Sequence, residues 1–262
     1  MHNYIINNSK DIVLNGNVVI SKEELLLALN QFTLGMKQIS ETSKSLDIDI
    51  FGTLGLRNLS GFVGEVFASM LNNSAKTKFT KNPHQDGYPD LLWINTQENS
   101  KYYESLISKV NGKIYPKNKA DFSPFKYGGL EVKATCGNTP PAESGQPKPI
   151  IGETRIALMK RFDWKAHHRE TNNLIAILWD FIDELPTVIA CFYSDELTEE
   201  DWGNIVQPKS GGGRTTSVSI MKSQGIRKMC ANWIAIINED IYLDKLSAKK
   251  WIGYNPKATD IK

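Results

Sequence analysis

The chain has 262 residues, of which 40% are hydrophobic and 23% charged, and its formal net charge is +2. This is the composition of an ordinary soluble globular protein that can bury a substantial core. The first twenty residues lack a basic start followed by an apolar block, and acidic residues with a proline interrupt the longest apolar stretch, 173–193. We therefore predict no secretory signal, no membrane span and a cytoplasmic location.

The distribution of charge is uneven along the chain. Acidic residues are concentrated at 180–201, whereas basic ones are concentrated at Lys76–Lys81, Arg155–Arg169 and Lys209–Lys228. A nearly neutral total can therefore include a basic face of the kind that phosphate contacts require, although ordinary solvated surface charge gives the same pattern. Three widely separated cysteines, Cys136, Cys191 and Cys230, exclude a disulfide framework and a Cys-x-x-Cys zinc site, and we expect reduced, buried thiols.

Two amphipathic helices are predicted in the first third of the chain. The first covers 21–46, where Ser21 is the expected N-cap and Glu24 completes a capping box. Its apolar residues recur at helical spacing: Leu25, Leu29, Phe32 and Met36. The second covers 57–71 and carries Glu65 among apolar neighbours. Its predicted apolar face consists of Leu59, Phe62, Val66 and Met70.

Short apolar runs predict the strands of a sheet. "YPDLLWI" (88–94) begins with a proline, which suits the start of a strand, and a helix is expected near 100–110. "GGLEVKAT" (128–135) is a second strand, and a Pro/Gly-rich loop, 136–149, follows it. Further strands are predicted in three apolar runs: 173–181, 187–194 and 232–237. A capped helical turn is expected at 194–202.

This order of elements predicts one α/β domain with a mixed central β-sheet flanked by helices. The chain shows no internal repeat and no linker long enough to separate two domains. We therefore treat 1–262 as a single domain.

One strand carries charges where apolar residues are expected. Side chains alternate along a strand, so Glu131 and Lys133 share one face of 128–135, opposite Leu130 and Val132. A buried ion pair seldom adds stability, because desolvation can exceed the attraction. A site is the better explanation if a third charged group converges there, and Asp90 at the start of another strand is the natural candidate. Two such carboxylates can hold one or two Mg²⁺ ions, leaving positions for water and a phosphate.

These residues carry a resemblance to a known family. Pro89-Asp90, then forty residues, then Glu131-Val132-Lys133 resembles the PD-(D/E)XK phosphodiesterase motif, and the chain resembles the type II restriction endonucleases of that nuclease superfamily. Both halves of the motif lie in strand-like runs, and Glu65 on the preceding helix matches the helical glutamate that many of these nucleases add to the metal shell.

The resemblance implies roles for these residues. Asp90 and Glu131 would ligate Mg²⁺ together with the backbone carbonyl of Val132, and Glu65 would bind through a water or at a second metal site. Lys133 would orient or help deprotonate the attacking water and stabilise charge in the transition state. It further implies a prokaryotic, homodimeric enzyme that cuts double-stranded DNA at a specific short sequence and leaves 5′-phosphate ends.

The same resemblance divides the single nuclease domain into three parts. Residues 1–56 form an N-terminal helical part, 57–136 carry the catalytic motif, and 137–262 supply the remaining sheet and the DNA-recognition elements.

Specificity is expected from polar loops. The glycine-rich segment 207–225 offers seven candidates for DNA contact: Lys209, Arg214, Thr215, Thr216, Ser217, Lys222 and Gln224. The loop after the catalytic strand adds Asn138 and Gln146, and the loop before Asp90 adds His84 and Gln85. A surface loop without a binding role is the competing interpretation for each.

Other function classes remain open at this point. A repair or recombination nuclease with the same metal core would cut according to DNA structure. A non-catalytic DNA-binding module would bind without Mg²⁺-dependent cutting. A structural α/β protein would do neither.

Overall fold

The computed structural model of the chain describes residues 2–7, 12–14, 18–84, 87–116, 119–122, 127–138, 153–167, 169–207 and 217–254. The helices within these ranges are α1 (Lys22–Lys44), α2 (Ile50–Thr53), α3 (Leu56–Ser74), α4 (Gln97–Ser105), α5 (Lys119–Phe122), α6 (Glu153–Leu158), α7 (Ser223–Ala231) and α8 (Asp240–Ser247). The strands are β1 (Tyr4–Ile6), β2 (Ile12–Leu14), β3 (Val18–Ile20), β4 (Phe79–Lys81), β5 (Leu91–Trp93), β6 (Ile107–Val110), β7 (Lys113–Pro116), β8 (Gly129–Thr135), β9 (Lys165–Ala166), β10 (Leu174–Ile182), β11 (Leu185–Ser194), β12 (Ser219–Ile220) and β13 (Trp233–Ile237).

A seven-stranded sheet in the order β1-β13-β11-β10-β8-β5-β4 forms the centre of the fold. Strands β8 and β10 pair in parallel, whereas the other neighbours in this sheet pair antiparallel. The sheet is therefore mixed, which confirms the predicted α/β architecture. Strands β10 and β11 are buried along almost their whole length, which explains their nearly continuous apolar sequence.

Helices cover both faces of the sheet. On one face, α1 and α3 pack over Ile175, Ile177 and Trp179 of β10. On the other, side chains of α6, α7 and α8 pack over the alternate residues of the same strand, Leu174 and Ala176 among them. The two-residue period of the strand thus divides its side chains between two cores.

The start of α1 follows the prediction closely. The Glu24 amide donates to Ser21 Oγ at 3.2 Å, and the Ser21 amide donates to Glu24 Oε2 at 2.8 Å, which is the expected capping box. The four predicted apolar positions of this helix are all buried: Leu25, Leu29, Phe32 and Met36.

The predicted face of α3 was partly wrong. Leu59 is buried as expected, but the row that continues through Val63, Phe67 and Leu71 enters the core. Phe62, Val66 and Met70 are only partly buried at its margin. Both rows of this helix are apolar, so helical spacing alone does not tell which one faces the sheet.

The region 100–110 was also only partly a helix. α4 ends at Ser105, and Ile107–Val110 is strand β6, paired with β7 through a tight turn. Asn111 and Gly112 in that turn have φ values of 50° and 75°, as a two-residue hairpin turn requires. The N-terminal part, predicted to be helical, likewise includes β1, β2 and β3, and β1 forms one edge of the central sheet.

The cysteines agree with the prediction, since Cys136, Cys191 and Cys230 are free and buried. The capped helical turn predicted at 194–202 also agrees, because a short 3₁₀ helix at Glu199–Asp201 has a capping box formed by Thr198 and Asp201. Within the described ranges, none of the helices is both long and apolar enough to span a bilayer.

Candidate active site

The three residues predicted to be catalytic meet at the junction of β5 and β8. The Val132 amide donates to Asp90 Oδ2 at 2.7 Å, and the Asp90 amide donates to Glu131 Oε2 at 3.2 Å. Lys133 Nζ donates to Glu131 Oε1 and lies 3.8 Å from Asp90 Oδ2. Two carboxylates and one ammonium group therefore form a single cluster.

Strand register produces this convergence. Leu91 pairs with Leu130 in the antiparallel β5–β8 ladder, and one step further along the same register places Asp90 beside Glu131. Residues that face each other across an antiparallel pair project on the same side of the sheet. The alternation within β8 then places Lys133 on that side as well.

A buried asparagine fixes the turn that leads into Asp90. The Asn82 amide donates to the Asp90 carbonyl at 2.9 Å, and its Nδ2 donates to the Pro89 carbonyl at 3.0 Å. Its Oδ1 accepts a bond from the His84 amide at 3.0 Å. Asn82 thus positions Asp90 without touching the cluster. Our sequence interpretation missed this role, although the Asn-Pro dipeptide at 82–83 is a turn signal.

Glycine at position 129 allows the two strands to approach each other. A Cβ atom on Gly129 would lie 2.3 Å from Pro89 Cγ and 2.5 Å from the Leu91 carbonyl oxygen. The backbone there also has φ +159°. Gly129 is therefore required for the contact that brings Asp90 to β8.

We expect Gly129→Ala to lower the free energy of unfolding by about 2 kcal/mol or more, because the added methyl group overlaps Pro89 and backbone atoms. Denaturant unfolding measures the change. Gly61→Ala is the matched control, since a Cβ atom at Gly61 in α3 meets nothing within 4 Å. This control should stabilise the protein by roughly 0.5–1 kcal/mol. Equal stability of the two variants would contradict the proposed close approach.

Burial and mutual charge set the protonation states in the cluster. The pKa of Asp90 is raised to about 7, mainly by burial and next by the neighbouring Glu131 carboxylate, while Lys133 and the Val132 amide oppose the shift. Burial by itself lowers the pKa of Lys133, but Glu131 and Asp90 together outweigh it, so the pKa ends above its usual value. Lys133 is thus a cation at neutral pH, whereas Asp90 changes charge there.

Stability of the metal-free protein should therefore depend on Asp90. The folded state retains a proton on Asp90 between pH 4 and 7, roughly, where the unfolded chain has lost it, so stability falls as pH rises through that window. We expect Asp90→Asn to reduce this fall and to stabilise the metal-free protein by about 1–3 kcal/mol at pH 8. Unfolding curves from pH 4 to pH 8 with chelator check both points. An unchanged pH profile in the variant would assign the titration to other groups.

The oxygen atoms of the cluster suit a divalent cation. Asp90 Oδ1 has no hydrogen-bond partner among the described residues, and the two carboxylates face only one ammonium group. Burial and, after it, the neighbouring Glu131 carboxylate raise the pKa of Asp90, and a bound cation would favour the charged carboxylate against both. Carboxylate and carbonyl oxygens are the ligands that Mg²⁺ prefers, with water and substrate phosphate completing its shell.

The structure shows two carboxylates at this point and not a larger set. In the described part of the chain, no group of three or more His, Cys, Asp or Glu side chains is arranged to hold a metal ion. The donors available for Mg²⁺ are therefore Asp90, Glu131 and the main-chain carbonyl of Val132.

Glu65 lies near this cluster but is not bonded to it. It is exposed on α3, and its Oε2 atom accepts from Lys81 Nζ at 2.7 Å. Its negative charge contributes the smallest of the effects that raise the pKa of Asp90. The structure therefore does not place Glu65 in contact with the other three residues, and its role at a metal remains a prediction.

Some of the described candidates for DNA contact have structural partners. The Asn138 side chain donates to Asp163 Oδ2 at 2.6 Å, and the Gln224 side chain donates to the Glu200 carbonyl at 2.9 Å. The His84 ring contacts the Phe122 ring, with 6.4 Å between centroids.

Two more of these candidates lie within the described segment 217–254. Ser217 Oγ donates to Gln207 Oε1 at 2.5 Å, and Lys222 is exposed just before α7. The remaining candidates lie outside the described residues: Gln85, Gln146, Lys209, Arg214, Thr215 and Thr216.

Comparisons of the chain with protein-family models, with curated proteins and with solved structures found no match. Function is therefore inferred from the geometry and chemistry of the cluster, because a fold by itself does not define an activity.

Proposed function

We propose that the protein is a Mg²⁺-dependent phosphodiesterase whose active site is the Asp90–Glu131–Lys133 cluster. The observation that carries this proposal is the convergence of two carboxylates and a protonated lysine on adjacent strands, with an unsatisfied excess of negative charge. Within that class, the resemblance of the motif to that of the PD-(D/E)XK nucleases leads us to propose a type II restriction endonuclease. Its substrate is then double-stranded DNA, cut at a specific short sequence to leave 5′-phosphate ends.

Asp90 and Glu131 would hold the ion, with the Val132 carbonyl as a further ligand. Mg²⁺ held there supplies Lewis-acid polarisation of a phosphoryl oxygen and lowers the pKa of a bound water. Both carboxylates are fixed by main-chain amides, since Asp90 accepts from Val132 and Glu131 accepts from Asp90. Such fixed ligands keep the reacting phosphate in position without reorganisation.

Lys133 acts in this scheme as a cation and not as a base. Its raised pKa keeps it protonated at neutral pH, and an ammonium group has no lone pair to accept a proton from water. It orients the attacking water and stabilises the negative charge that develops on the phosphoryl oxygens. Its side chain is about one-fifth exposed, so a substrate can reach it from solvent.

A palindromic duplex has two equivalent scissile bonds, one on each strand. A two-fold symmetric homodimer presents one active site to each of them, and we include this homodimer in the proposal.

Digestion of a plasmid of known sequence with Mg²⁺, with Ca²⁺ and with chelator tests the proposed function. We expect discrete fragments with 5′-phosphate ends in Mg²⁺ alone. Smearing or selective cutting of branched DNA would support a structure-selective nuclease instead. Binding without cutting under all three conditions would leave only a DNA-binding module.

A further inference from the structure

A β-hairpin is inserted between the two strands that carry the active site. Strands β6 and β7 pair from Ile107 opposite Pro116 to Val110 opposite Lys113, and they follow β5 and precede β8 in the chain. The Asn111-Gly112 turn closes the hairpin with positive φ at both residues. Its base packs against a hydrophobic cluster, in which Ile107 is partly buried.

One face of this hairpin consists of exposed residues. Two cross-strand pairs form this face: Ser108 with Tyr115 and Val110 with Lys113. Alternation along each strand places all four side chains on the same side of the ribbon. Val110 is 53% exposed and Tyr115 is 49% exposed. The Tyr115 hydroxyl has no hydrogen-bond partner among the described residues. A tyrosine and a valine are thus displayed on a ribbon that contributes nothing to either main core.

The charge of the hairpin has one sign. From Leu106 to Ala120 the sequence contains four lysines and no aspartate or glutamate. Lys109 and Lys113 are exposed and form no ion pair within the described structure. Some lysines elsewhere on the surface form such pairs, as Lys37 does with Glu41 and Lys44 does with Glu184. The hairpin therefore carries two exposed positive charges, Lys109 and Lys113, that are not paired with a carboxylate of the described residues.

The base of the hairpin is joined to the side of the sheet that carries Asp90. Ile107 packs into a cluster built on Leu92, Tyr103 and Phe122. Leu92 of β5 is two residues after Asp90, which directly precedes that strand, and therefore projects on the same face. Phe122 also contacts His84 in the turn that Asn82 fixes. The base of the hairpin and the turn that leads into Asp90 therefore pack against the same side chain.

We propose that the β6–β7 hairpin is a nucleic-acid-binding ribbon that lies in a groove of the same duplex that the active site cuts. Lys113 on the exposed face and Lys109 on the opposite face contact phosphates on the two walls of the groove, and Val110 and Tyr115 pack against sugars and base edges on the Lys113 side. A two-stranded ribbon fits the DNA major groove, which is about 12 Å wide. This inference rests on the proposed function, because the duplex has to reach the Asp90 cluster for the hairpin to engage it.

Binding of a fluorescent DNA duplex at several salt concentrations tests the hairpin directly. Anisotropy is measured in Ca²⁺, with a gel to confirm that the duplex stays intact. The test protein is the double variant Lys109→Ala and Lys113→Ala. The matched control is Lys37→Ala and Lys44→Ala, which removes the same charge from α1 on the other side of the sheet.

Each lost phosphate contact should reduce the slope of log K against log salt by about 0.9. We therefore expect the hairpin variant to show a slope smaller by roughly 1 to 2 and an affinity about tenfold lower or more at 0.1 M salt. The control should remain within about twofold of the unmodified protein. Tyr115→Ala should weaken binding several-fold with the salt slope unchanged, because it removes an uncharged contact.

Hairpin variants that bind with the slope and affinity of the control would overturn this inference. If such variants still cut plasmid DNA normally, the proposed nuclease function would stand and the hairpin role alone would fail. Conversely, if DNA binding depends on the hairpin but the protein never cuts DNA, the hairpin role would stand and the proposed nuclease function would be refuted. A circular dichroism spectrum like that of the unmodified protein confirms that the variants are folded.

Discussion

Asp90→Asn is expected to reduce Mg²⁺-dependent DNA cleavage by at least about 10³-fold while the protein remains folded. The substitution keeps the shape of the side chain and an oxygen that can accept from the Val132 amide, but it removes the negative charge that holds the ion. A bound metal stabilises the transition state by several kcal/mol, and each 1.36 kcal/mol is worth about a factor of ten in rate. Single-turnover cleavage of a plasmid measures the loss.

The control for this variant is Asp183→Asn. Asp183 is exposed in the turn between β10 and β11 and has φ 49°, a conformation that asparagine tolerates well. Its cleavage rate should equal that of the unmodified protein. DNA affinity in Ca²⁺ should be largely retained in both variants, because the metal cluster supplies only part of the contact with the duplex. Cleavage by Asp90→Asn within about tenfold of normal would show that Asp90 is not a metal ligand in the reaction.

The local part of the site was predictable from sequence because it depends on one strand. The two-residue period of 128–135 placed Glu131 and Lys133 on one face, and β8 has that alternation. The apolar runs of β10, β11 and β13 were likewise long enough to be recognised as buried strands. Tertiary packing and local preference agree in these segments, so sequence alone predicts them well.

Contacts between distant residues were harder to predict. The pairing of Leu91 with Leu130 brings Asp90 to Glu131, and nothing in either segment specifies that register. Asn82 holds the Asp90 turn through three bonds to atoms that a sequence pattern does not reveal. The hairpin at Asn111-Gly112 did have a local signal, since Asn-Gly between short runs is typical of a two-residue turn, but a helix was predicted near 100–110, where its first strand lies.

The Asp90–Glu131–Lys133 cluster lowers the stability of the fold locally. Glu131 has only 5% of its side chain exposed, and its carboxylate lies beside that of Asp90. Burial and this neighbouring charge together raise the pKa of Asp90 to about 7. Like charges in a partly buried site persist when the surrounding structure holds them in place. Here the fixed register of β5 and β8 holds them, and Lys133 offsets part of the repulsion. This cost is what makes the cluster receptive to a cation.

Replacement of Lys133 by methionine should therefore affect both cleavage and stability. The variant loses the charge that stabilises the transition state, and cleavage is expected to fall by about 10²–10³-fold. It also leaves two neighbouring carboxylates without their counter-charge, so the metal-free protein should lose roughly 3 kcal/mol at pH 8. The loss should be smaller at pH 5, because a proton on Asp90 then relieves the repulsion between the carboxylates.

A second substitution separates the two effects of Lys133. In Lys133→Met combined with Asp90→Asn, the repulsion is gone, so we expect stability at pH 8 to recover in part while cleavage stays absent. Lys44→Met is the matched control, since Lys44 pairs with Glu184 at 3.3 Å but both side chains are more than half exposed. A pair of this kind contributes about 1 kcal/mol or less. Unfolding curves at pH 5 and pH 8 measure these differences, and a Lys133→Met protein that matches the Lys44 control at both pH values would mean that Lys133 does not neutralise the carboxylate pair.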